Sequence, residues 1–569
     1  MLSSKPETSS RTKSDTASPL RVSSQGTPLH LRLSTAALLT LIAVLALAAP
    51  IAAPAQTAAT KSVPQPSTTP TLQVYSRETI LDVLVTDDKG HPVHGLTQSD
   101  FTVSEDSHPQ PIRSFSEYDK ATPPAPAHTL PPNTYTNTGS LPANGPVQVF
   151  YFDLPYGSSY PPGTEFPTDT AQGMIFVRAK KYIADYLRTM PAGTQVAIFV
   201  YRSDYGLRLL QGFTTDGQRA ATVVDNLVVL SVGPPPSADP IAAANQIAAY
   251  VAGIHGRKNL IWIGLPAPLP IMRDGGQSWS VGGSPPDMVR VHRLMDTYDT
   301  FTREQIAIYP FDPRGVPIGK ALTFATLKSE DIATETGGAA IYNTNDFKAA
   351  AAKIVDDTSH FYSLSYIPPR PYDDGHYHPI KITVDRPGLH LTYRNGYNDE
   401  HPAPPDAVLK VHMDQTSMGL GALPATQLTF DVQVTPSAPN PAARPAKSSD
   451  SRRALAISGK TPVTYNLIYK LDQSQIDFAA TPDGLRNASL EFDLAAYNSD
   501  GKTVAVRSQT LKLPLTIEEY QEFIQKPFQF FLPIDLPPGE VTLRAGVFDG
   551  VSNRVGTLEI PVNVRGNPR

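Results

Sequence analysis

The sequence predicts a doubly wound, mostly parallel α/β sheet domain at residues 146–368, between an N-terminal small β module and a C-terminal β-sandwich-like domain. Three observations predict it. The run Val147–Asp153 follows a Pro/Gly-rich segment and ends in a carboxylate. Its continuous apolar, β-branched and aromatic residues are typical of a central parallel strand. Strand-like and helix-like segments then alternate over about 220 residues. Beyond residue 368, polar and apolar residues alternate, which is typical of antiparallel strands.

Residues 1–55 have the pattern of a secretory signal peptide. Basic residues precede the apolar run 36–49, and the small-residue motif Ala53-Pro54-Ala55 follows it. A span of a bilayer takes about 20 apolar residues, more than this run provides. We therefore expect export to the periplasm, the cell envelope or the medium, with no stable membrane span after cleavage. A segment retained as an anchor is the alternative.

Charge and cysteine content exclude several classes of function. The net charge is −5, and Lys and Arg form no long cluster beyond the N-terminus, so we expect no nucleic-acid partner. The chain contains no Cys, which excludes disulfides, thiol catalysis and Cys-based zinc sites. Each domain must therefore be stabilised by its own hydrophobic core.

Differences in composition divide the chain before the sheet domain into a spacer, a β module and a linker. Residues 56–73 are predicted to be a disordered spacer, and residues 74–118 a small β module with a hairpin turn at 87–90 and a core around Leu96 and Phe101. Residues 119–145 are rich in Pro and are predicted to be a linker.

Within the sheet domain, apolar runs and 3.6-residue stripes give the elements in order. Strands are predicted at 147–153, 195–201, 207–211, 259–264, 306–311, 339–342 and 361–367. Helices are predicted at 168–190, 216–227, 238–254, 289–304, 329–335 and 346–357.

After the sheet domain, three further segments are predicted. Residues 369–398 form an appended β-hairpin that turns at 386–388, and residues 399–460 are a linker with short strands. Residues 461–569 form the β-sandwich-like domain, with one short helix at 516–525.

Short motifs between residues 74 and 397 carry a family resemblance. They are ILDVLVTD at 80–87, GLT at 95–97, DFTVSED at 100–106, GRKNLIW at 256–262, ATETGG at 333–338, YSLSY at 362–366, RPGL at 386–389 and GY at 396–397. With them the chain resembles the VWFA-related proteins common in acidobacteria. This resemblance implies that the sheet domain is of the von Willebrand factor type A kind, with a Rossmann-type layout.

The resemblance also implies a place for a metal site. Type A domains often hold a divalent cation with Asp-x-Ser-x-Ser after the first strand, a Thr from a second loop and an Asp after the fourth strand. Asp153 matches the first carboxylate, but Pro155 and Gly157 stand at the two serine positions. The fourth strand runs into Gly264, so the distal Asp is missing as well.

We therefore expect no bound metal and no cofactor, with Asp153 ordering the loop that follows it. The alternative is Mg²⁺ at a degenerate site rebuilt through an altered loop, for which the candidate ligands are Asp153, Ser158, Ser159, Ser237 and Asp239. The same loop offers a predicted ligand-binding surface, because Tyr side chains bury area and keep a polar tip. Its residues are Asp153, Tyr156, Ser158, Ser159 and Tyr160.

A second metal candidate is the segment from Asp373 to His378. His376 and His378 are alternate residues of an extended segment and can face one ion, with Asp373 and Asp374 nearby. A solvated turn before the next strand is the preferred interpretation.

Two classes of function remain. Neither His-Glu-x-x-His nor Gly-x-Ser-x-Gly occurs, so the commonest hydrolase motifs are absent. We predict an exported, non-catalytic protein-interaction or adhesion module that binds a protein or cell-envelope partner. The alternative is an exported, hydrolase-like enzyme of the cell envelope with a cleft between the type A-like and C-terminal domains.

Overall fold

The computed structural model describes most of the chain after residue 77. The described residues are 78–118, 130–139, 141–142, 144–153, 171–202, 206–227, 240–264, 297, 300–312, 330, 332–342, 344, 346–368, 376–398, 417–437, 462–481 and 484–565. The predicted signal peptide 1–55 and spacer 56–73 lie outside them.

Strands dominate this part of the chain. They are β1 (Thr79–Asp87), β2 (Phe101–Glu105), β3 (His108–Gln110), β4 (Ser114–Tyr118), β5 (Thr134–Thr136), β6 (Val147–Asp153), β7 (Gln195–Arg202), β8 (Gly206–Thr214), β9 (Lys258–Ile263), β10 (Ile306–Phe311), β11 (Phe361–Tyr366), β12 (Tyr377–Val384), β13 (Leu389–Thr392), β14 (Gly396–Asn398), β15 (Phe430–Pro436), β16 (Val463–Leu471), β17 (Ala479–Ala480), β18 (Arg486–Asn498), β19 (Thr503–Leu515), β20 (Phe528–Leu536), β21 (Gly539–Asp549) and β22 (Val555–Val564). The α-helices with both ends described are α1 (Ala171–Thr189), α2 (Gly217–Asp225), α3 (Pro240–Val251), α4 (Phe347–Thr358) and α5 (Ile517–Phe523), and residues 300–303 and 332–336 are also helical.

The central sheet has the order β10-β9-β6-β7-β8 and is parallel except for the edge strand β8. Successive side chains of β6 enter different cores, as a pleated strand requires. Phe150 and Phe152 pack in the core that contains α1, α2 and α4, whereas Val149 and Tyr151 pack in the core that contains α3. Helices therefore cover both faces, and the predicted doubly wound sheet is present.

One predicted strand of this sheet is reduced to a single bridge. Residues 339–342 were expected to form a strand, but they contribute only the parallel bridge between Phe311 and Ile341. Helix residues 332–336 end at Thr336, and Gly337 follows with a φ of +75°. The chain thus leaves the helix in the left-handed conformation that Gly permits, and it then meets the edge of the sheet at a single bridge.

The prediction that residues 361–367 form the last strand of the central sheet is wrong. β11 pairs antiparallel with β1 on one side and with β4 on the other. Together with β13 they form the sheet β13-β1-β11-β4, which shares a core with a second sheet, β14-β12-β2-β3. An apolar run reveals that a strand is buried, but it does not reveal the partner strands.

Consequently, neither the N-terminal β module 74–118 nor the hairpin 369–398 is a separate unit. β12 pairs with β2 in one sheet, and β13 pairs with β1 in the other. The turn at 386–388 therefore joins two sheets of one sandwich instead of closing a hairpin. Leu96 and Phe101 lie in its core, as expected.

The C-terminal sandwich begins earlier than predicted. Its sheets are β20-β16-β15-β5 and β17-β18-β21-β22, with β19 paired to β18. β15 lies inside the segment 399–460 that was expected to be a linker, and it pairs along its full length with β16. β5 lies inside the predicted linker 119–145 and pairs with β15. Three residues of regular pairing are too short to give a recognisable alternation in a Pro-rich segment.

Candidate functional site

Asp153 ends the central strand β6, between the ends of β7 and β9. Parallel strands bring their carboxyl ends to one edge of a sheet, where open α/β folds bind ligands. We call this edge, formed by Asp153, Arg202, Ile263 and Phe311 at the ends of β6, β7, β9 and β10, the carboxyl edge.

The Asp153 carboxylate is half-buried and is contacted by an indole. Trp262 Nε1 donates a hydrogen bond to Asp153 Oδ2 over 3.2 Å. The Trp262 ring is buried and packs against Tyr151, with 5.0 Å between ring centroids. Burial raises the pKa of Asp153 to about 7, and the Trp262 hydrogen bond only partly opposes this increase.

Gly264 occupies the space beside Asp153 where the resemblance places a second carboxylate. Its φ is +149°, and a Cβ built on it would lie 3.0 Å from the Asp153 carbonyl oxygen and 3.2 Å from Asp153 Cβ. A side chain at position 264 would therefore require the two strand ends to separate.

The described residues around Asp153 do not fit a divalent cation. Mg²⁺ requires several oxygen ligands in near-octahedral geometry. Trp262 presents an N–H donor to Asp153, and Gly264 has no side chain. The other sequence candidates, Tyr156, Ser158, Ser159, Tyr160, Ser237 and Asp239, lie outside the described residues.

At the opposite edge of the sheet, a partly buried polar network joins the N-terminal sandwich to the sheet domain. Gln305 Nε2 lies 3.1 Å from both Asp82 carboxylate oxygens, and Lys258 Nζ donates to the Glu304 carbonyl over 2.7 Å. Burial raises the pKa of Asp82 against the opposing charge of Arg257. Burial also lowers the pKa of Lys258 to about 8.

Sequence reasoning missed this network, although each strand carries a signal for it. Asp82 interrupts the apolar alternation of β1, and Lys258 begins the buried strand β9. A charged residue within such a run needs a partner, because an unpaired buried charge is costly.

Two His/carboxylate groups lie in the N-terminal sandwich, and neither is the predicted set. The predicted metal candidate grouped His378 with His376, Asp373 and Asp374. In the structure, His378 Nδ1 lies 2.8 Å from Asp106 Oδ2. Asp373 and Asp374 lie outside the described residues. The two groups are Glu105, Asp106 and His378, and His94, Glu117 and His360.

Where the enzyme alternative expects a cleft, the described residues of the sheet domain and the C-terminal sandwich pack together. Thr426 N donates to the Ala249 carbonyl over 2.7 Å, and Gly253 N donates to Thr426 Oγ1 over 2.8 Å. Thr426 Oγ1 also donates to the Tyr250 carbonyl over 2.9 Å. The end of α3 is thus hydrogen-bonded directly to the sandwich.

A groove lies elsewhere, beside α5 in the C-terminal sandwich. It is lined by Leu515, Glu519, Glu522, Phe523, Lys526, Pro527, Phe528 and Gln529. Glu519 accepts the Thr516 N–H in the capping box of α5, and Glu522 pairs with Lys526. The carboxylates of this groove therefore already have partners, one at the N-cap of α5 and one just after its last residue.

Comparison with known proteins gives similarity at the level of solved structures. No family profile matches the chain, and no curated protein matches it. Matching structures include an aerotolerance-related membrane protein from Bacteroides fragilis, at 16% identity and a TM-score of 0.23, covering 37% of this chain and 98% of that one.

Two further matches carry the type A description by name. A von Willebrand factor type A protein from Catenulispora acidiphila is 11% identical, with a TM-score of 0.24, over 58% of this chain and 75% of that one. The vWF domain of the type V pili tip protein Mfa5 from Porphyromonas gingivalis is 11% identical, with a TM-score of 0.25, over 38% of this chain and 94% of that one. The assignment of the doubly wound sheet rests on its strand order and its two helix layers.

The helices of the described residues bear on the question of a membrane span. None of them is both long enough and apolar enough to cross a bilayer.

Proposed function

We propose that the chain is an exported, non-catalytic protein-interaction module of the VWFA-related kind. Its binding surface is the carboxyl edge, at Asp153 and the loop residues Tyr156, Ser158, Ser159 and Tyr160. The partner is a protein or another component of the cell envelope, and binding requires no divalent cation.

One observation carries this proposal, the surroundings of Asp153. A cation-binding edge would need several converging oxygens, whereas Asp153 meets the Trp262 indole and the backbone of Gly264. These contacts fix the end of β6 at Asp153. A loop held on a rigid sheet edge is a common form of binding site.

One observation favours the alternative, a hydrolase-like enzyme of the envelope. Asp153 has a pKa of about 7, in the range of a general acid or base at neutral pH. Against it, the side-chain hydrogen bond that the described residues give this carboxylate comes from the Trp262 indole, which is not an acid or base at neutral pH. The binding role is therefore the better supported.

Site-specific photo-crosslinking tests the proposed surface. The full chain carries a photo-reactive amino acid in place of Tyr156 or Tyr160 and is illuminated with an extract of the cell envelope. The matched control carries it in place of Ala192, an exposed residue before β7 at the opposite edge of the sheet. We expect a discrete crosslinked partner from the loop positions and none from the control.

Equal crosslinking from both edges would place the binding surface elsewhere.

Mass spectrometry of the protein from its host tests export, because cleavage after Ala55 would give a mature N-terminus at Gln56. Recovery of the intact N-terminus on a cytoplasmic protein would contradict export.

A further inference from the structure

We propose that His94, Glu117 and His360 form a binding site for one divalent transition-metal ion of the Zn²⁺ class in the N-terminal sandwich. The ligand atoms of the three side chains lie within 4.8 Å of one another. They come from the loop after β1, from β4 and from the residue before β11, so the ion would join three segments of one sheet.

The separations suit the coordination of one ion. His94 Nδ1 lies 3.8 Å from Glu117 Oε1, which is too long for a hydrogen bond. Two ligands of a tetrahedral Zn²⁺ ion, each about 2.0–2.1 Å from the metal, lie about 3.4 Å apart. His360 Nε2 lies 2.9 Å from the same oxygen, so an ion would replace this hydrogen bond and lengthen the distance by about 0.5 Å.

The two imidazoles face each other across this oxygen. Their ring centroids are 4.0 Å apart, and the planes are tilted by 51°. His360 is 2% exposed, and Nε2 is the nitrogen directed at the group, since it lies 2.9 Å from Glu117 Oε1. The side chain of His94 is 55% exposed, which gives an ion a route from solvent.

The donor set selects the kind of metal. Two imidazoles and one carboxylate suit Zn²⁺ and its neighbours in the first transition row, whereas Mg²⁺ and Ca²⁺ prefer oxygen ligands alone. Three protein ligands leave a fourth position for water.

Neighbouring hydrogen bonds hold the ligands in place. Gly95 N donates to Glu117 Oε1 over 3.0 Å, which ties the residue next to His94 to the carboxylate. The Tyr362 hydroxyl accepts from Leu96 N over 3.1 Å and donates to the Val93 carbonyl over 2.8 Å. The loop is therefore fixed on both sides of His94, and such preorganisation favours metal binding.

The other His/carboxylate group does not offer the same opportunity. Glu105 already accepts hydrogen bonds from the hydroxyls of Tyr366 and Tyr397. Glu105 is 2% exposed and His378 is 3% exposed, so both are closed to solvent. Glu117 is hydrogen-bonded as well, because its Oε1 accepts from Gly95 N and lies 3.3 Å from the Tyr362 hydroxyl. The two groups therefore differ in exposure, and the group at His94 is the one open to solvent on one side.

Zn²⁺ binding to the full chain after dialysis against EDTA tests the proposal. We expect one Zn²⁺ per chain by calorimetry and a rise in Tm that saturates with Zn²⁺, with no rise for Mg²⁺. Co²⁺ in place of Zn²⁺ should give the visible absorption of a tetrahedral site.

Variants locate the site. His94→Ala should weaken Zn²⁺ binding about 100-fold, and Glu117→Gln, which keeps an acceptor for Gly95 N, about 10- to 100-fold. The matched control is His91→Ala, which removes an exposed imidazole of the same loop that faces Asp87 and should leave binding unchanged. Because His360→Ala can impair folding, the exposed His94 and the isosteric Glu117→Gln decide the outcome. A Tm that does not respond to Zn²⁺, or a response equal in all variants, would overturn the proposal.

Discussion

Gly264 and Asp153 meet across the ends of β9 and β6, so closely that a Cβ at Gly264 would lie 3.2 Å from the Cβ of Asp153. The glycine adopts a φ of +149° at this point. The absence of a side chain at Gly264 thus allows the two strand ends to approach closely.

Gly264→Ala should therefore destabilise the protein by about 1–3 kcal/mol, because the substitution adds both backbone strain and a steric contact. Urea unfolding measures the change. Gly212→Ala in the edge strand β8 is the matched control, since a Cβ there meets nothing within 4 Å. Equal stability of the two variants would show that the strand ends separate freely.

Asp153→Asn should change how stability depends on pH. The pKa of Asp153 is raised from 3.8 to about 7 on folding, so the folded state binds the proton more tightly than the unfolded chain. Its contribution to stability is full below about pH 4, falls as pH rises toward 7 and is lost above. Asn retains an acceptor for the Trp262 N–H and has no charge to bury.

The variant should consequently match the wild type near pH 4 and exceed it at pH 8 by about 2–4 kcal/mol, the equivalent of the pKa change with some solvent screening. Chemical unfolding at both pH values gives the comparison. Curves for the two proteins that run parallel with pH would mean that Asp153 titrates as an ordinary exposed carboxylate.

Removal of residues 1–118 should destabilise far more than removal of a separate module would. It deletes β1 and β4, which pair with the two sides of β11. A chain that begins at residue 119 should expose the core residues Leu364 and Tyr366 and bind a hydrophobic dye. A chain that begins at residue 74 is the control and should melt like the full chain. Similar melting of both truncated chains would contradict the shared sandwich.

The sequence predicted those elements whose evidence is local. β6, β7, β9 and β10 are apolar runs, and their burial on both faces makes them visible without knowledge of their partners. The partners of β11 could not be predicted, because β1 precedes it by more than 270 positions. The apolar pattern of a strand also does not depend on which strand it pairs with.

The candidate sites divide in the same way. Asp153 could be found because a carboxylate at the end of a central strand lies at a known edge of the sheet. The contact with Trp262 and the group of His94, Glu117 and His360 could not be found, because each joins residues far apart in the chain. Only the fold brings those side chains together.

The proposed binding of a partner at the carboxyl edge without a divalent cation can be measured through the yield of crosslinking from Tyr156. The yield should be the same in EDTA and in Mg²⁺, because the described residues at Asp153 do not form an oxygen cage. EDTA also removes Zn²⁺, so the same measurement in His94→Ala distinguishes an effect of Zn²⁺ at that residue from an effect of Mg²⁺ at Asp153. A crosslink that requires Mg²⁺ and disappears in Asp153→Ala would contradict the account.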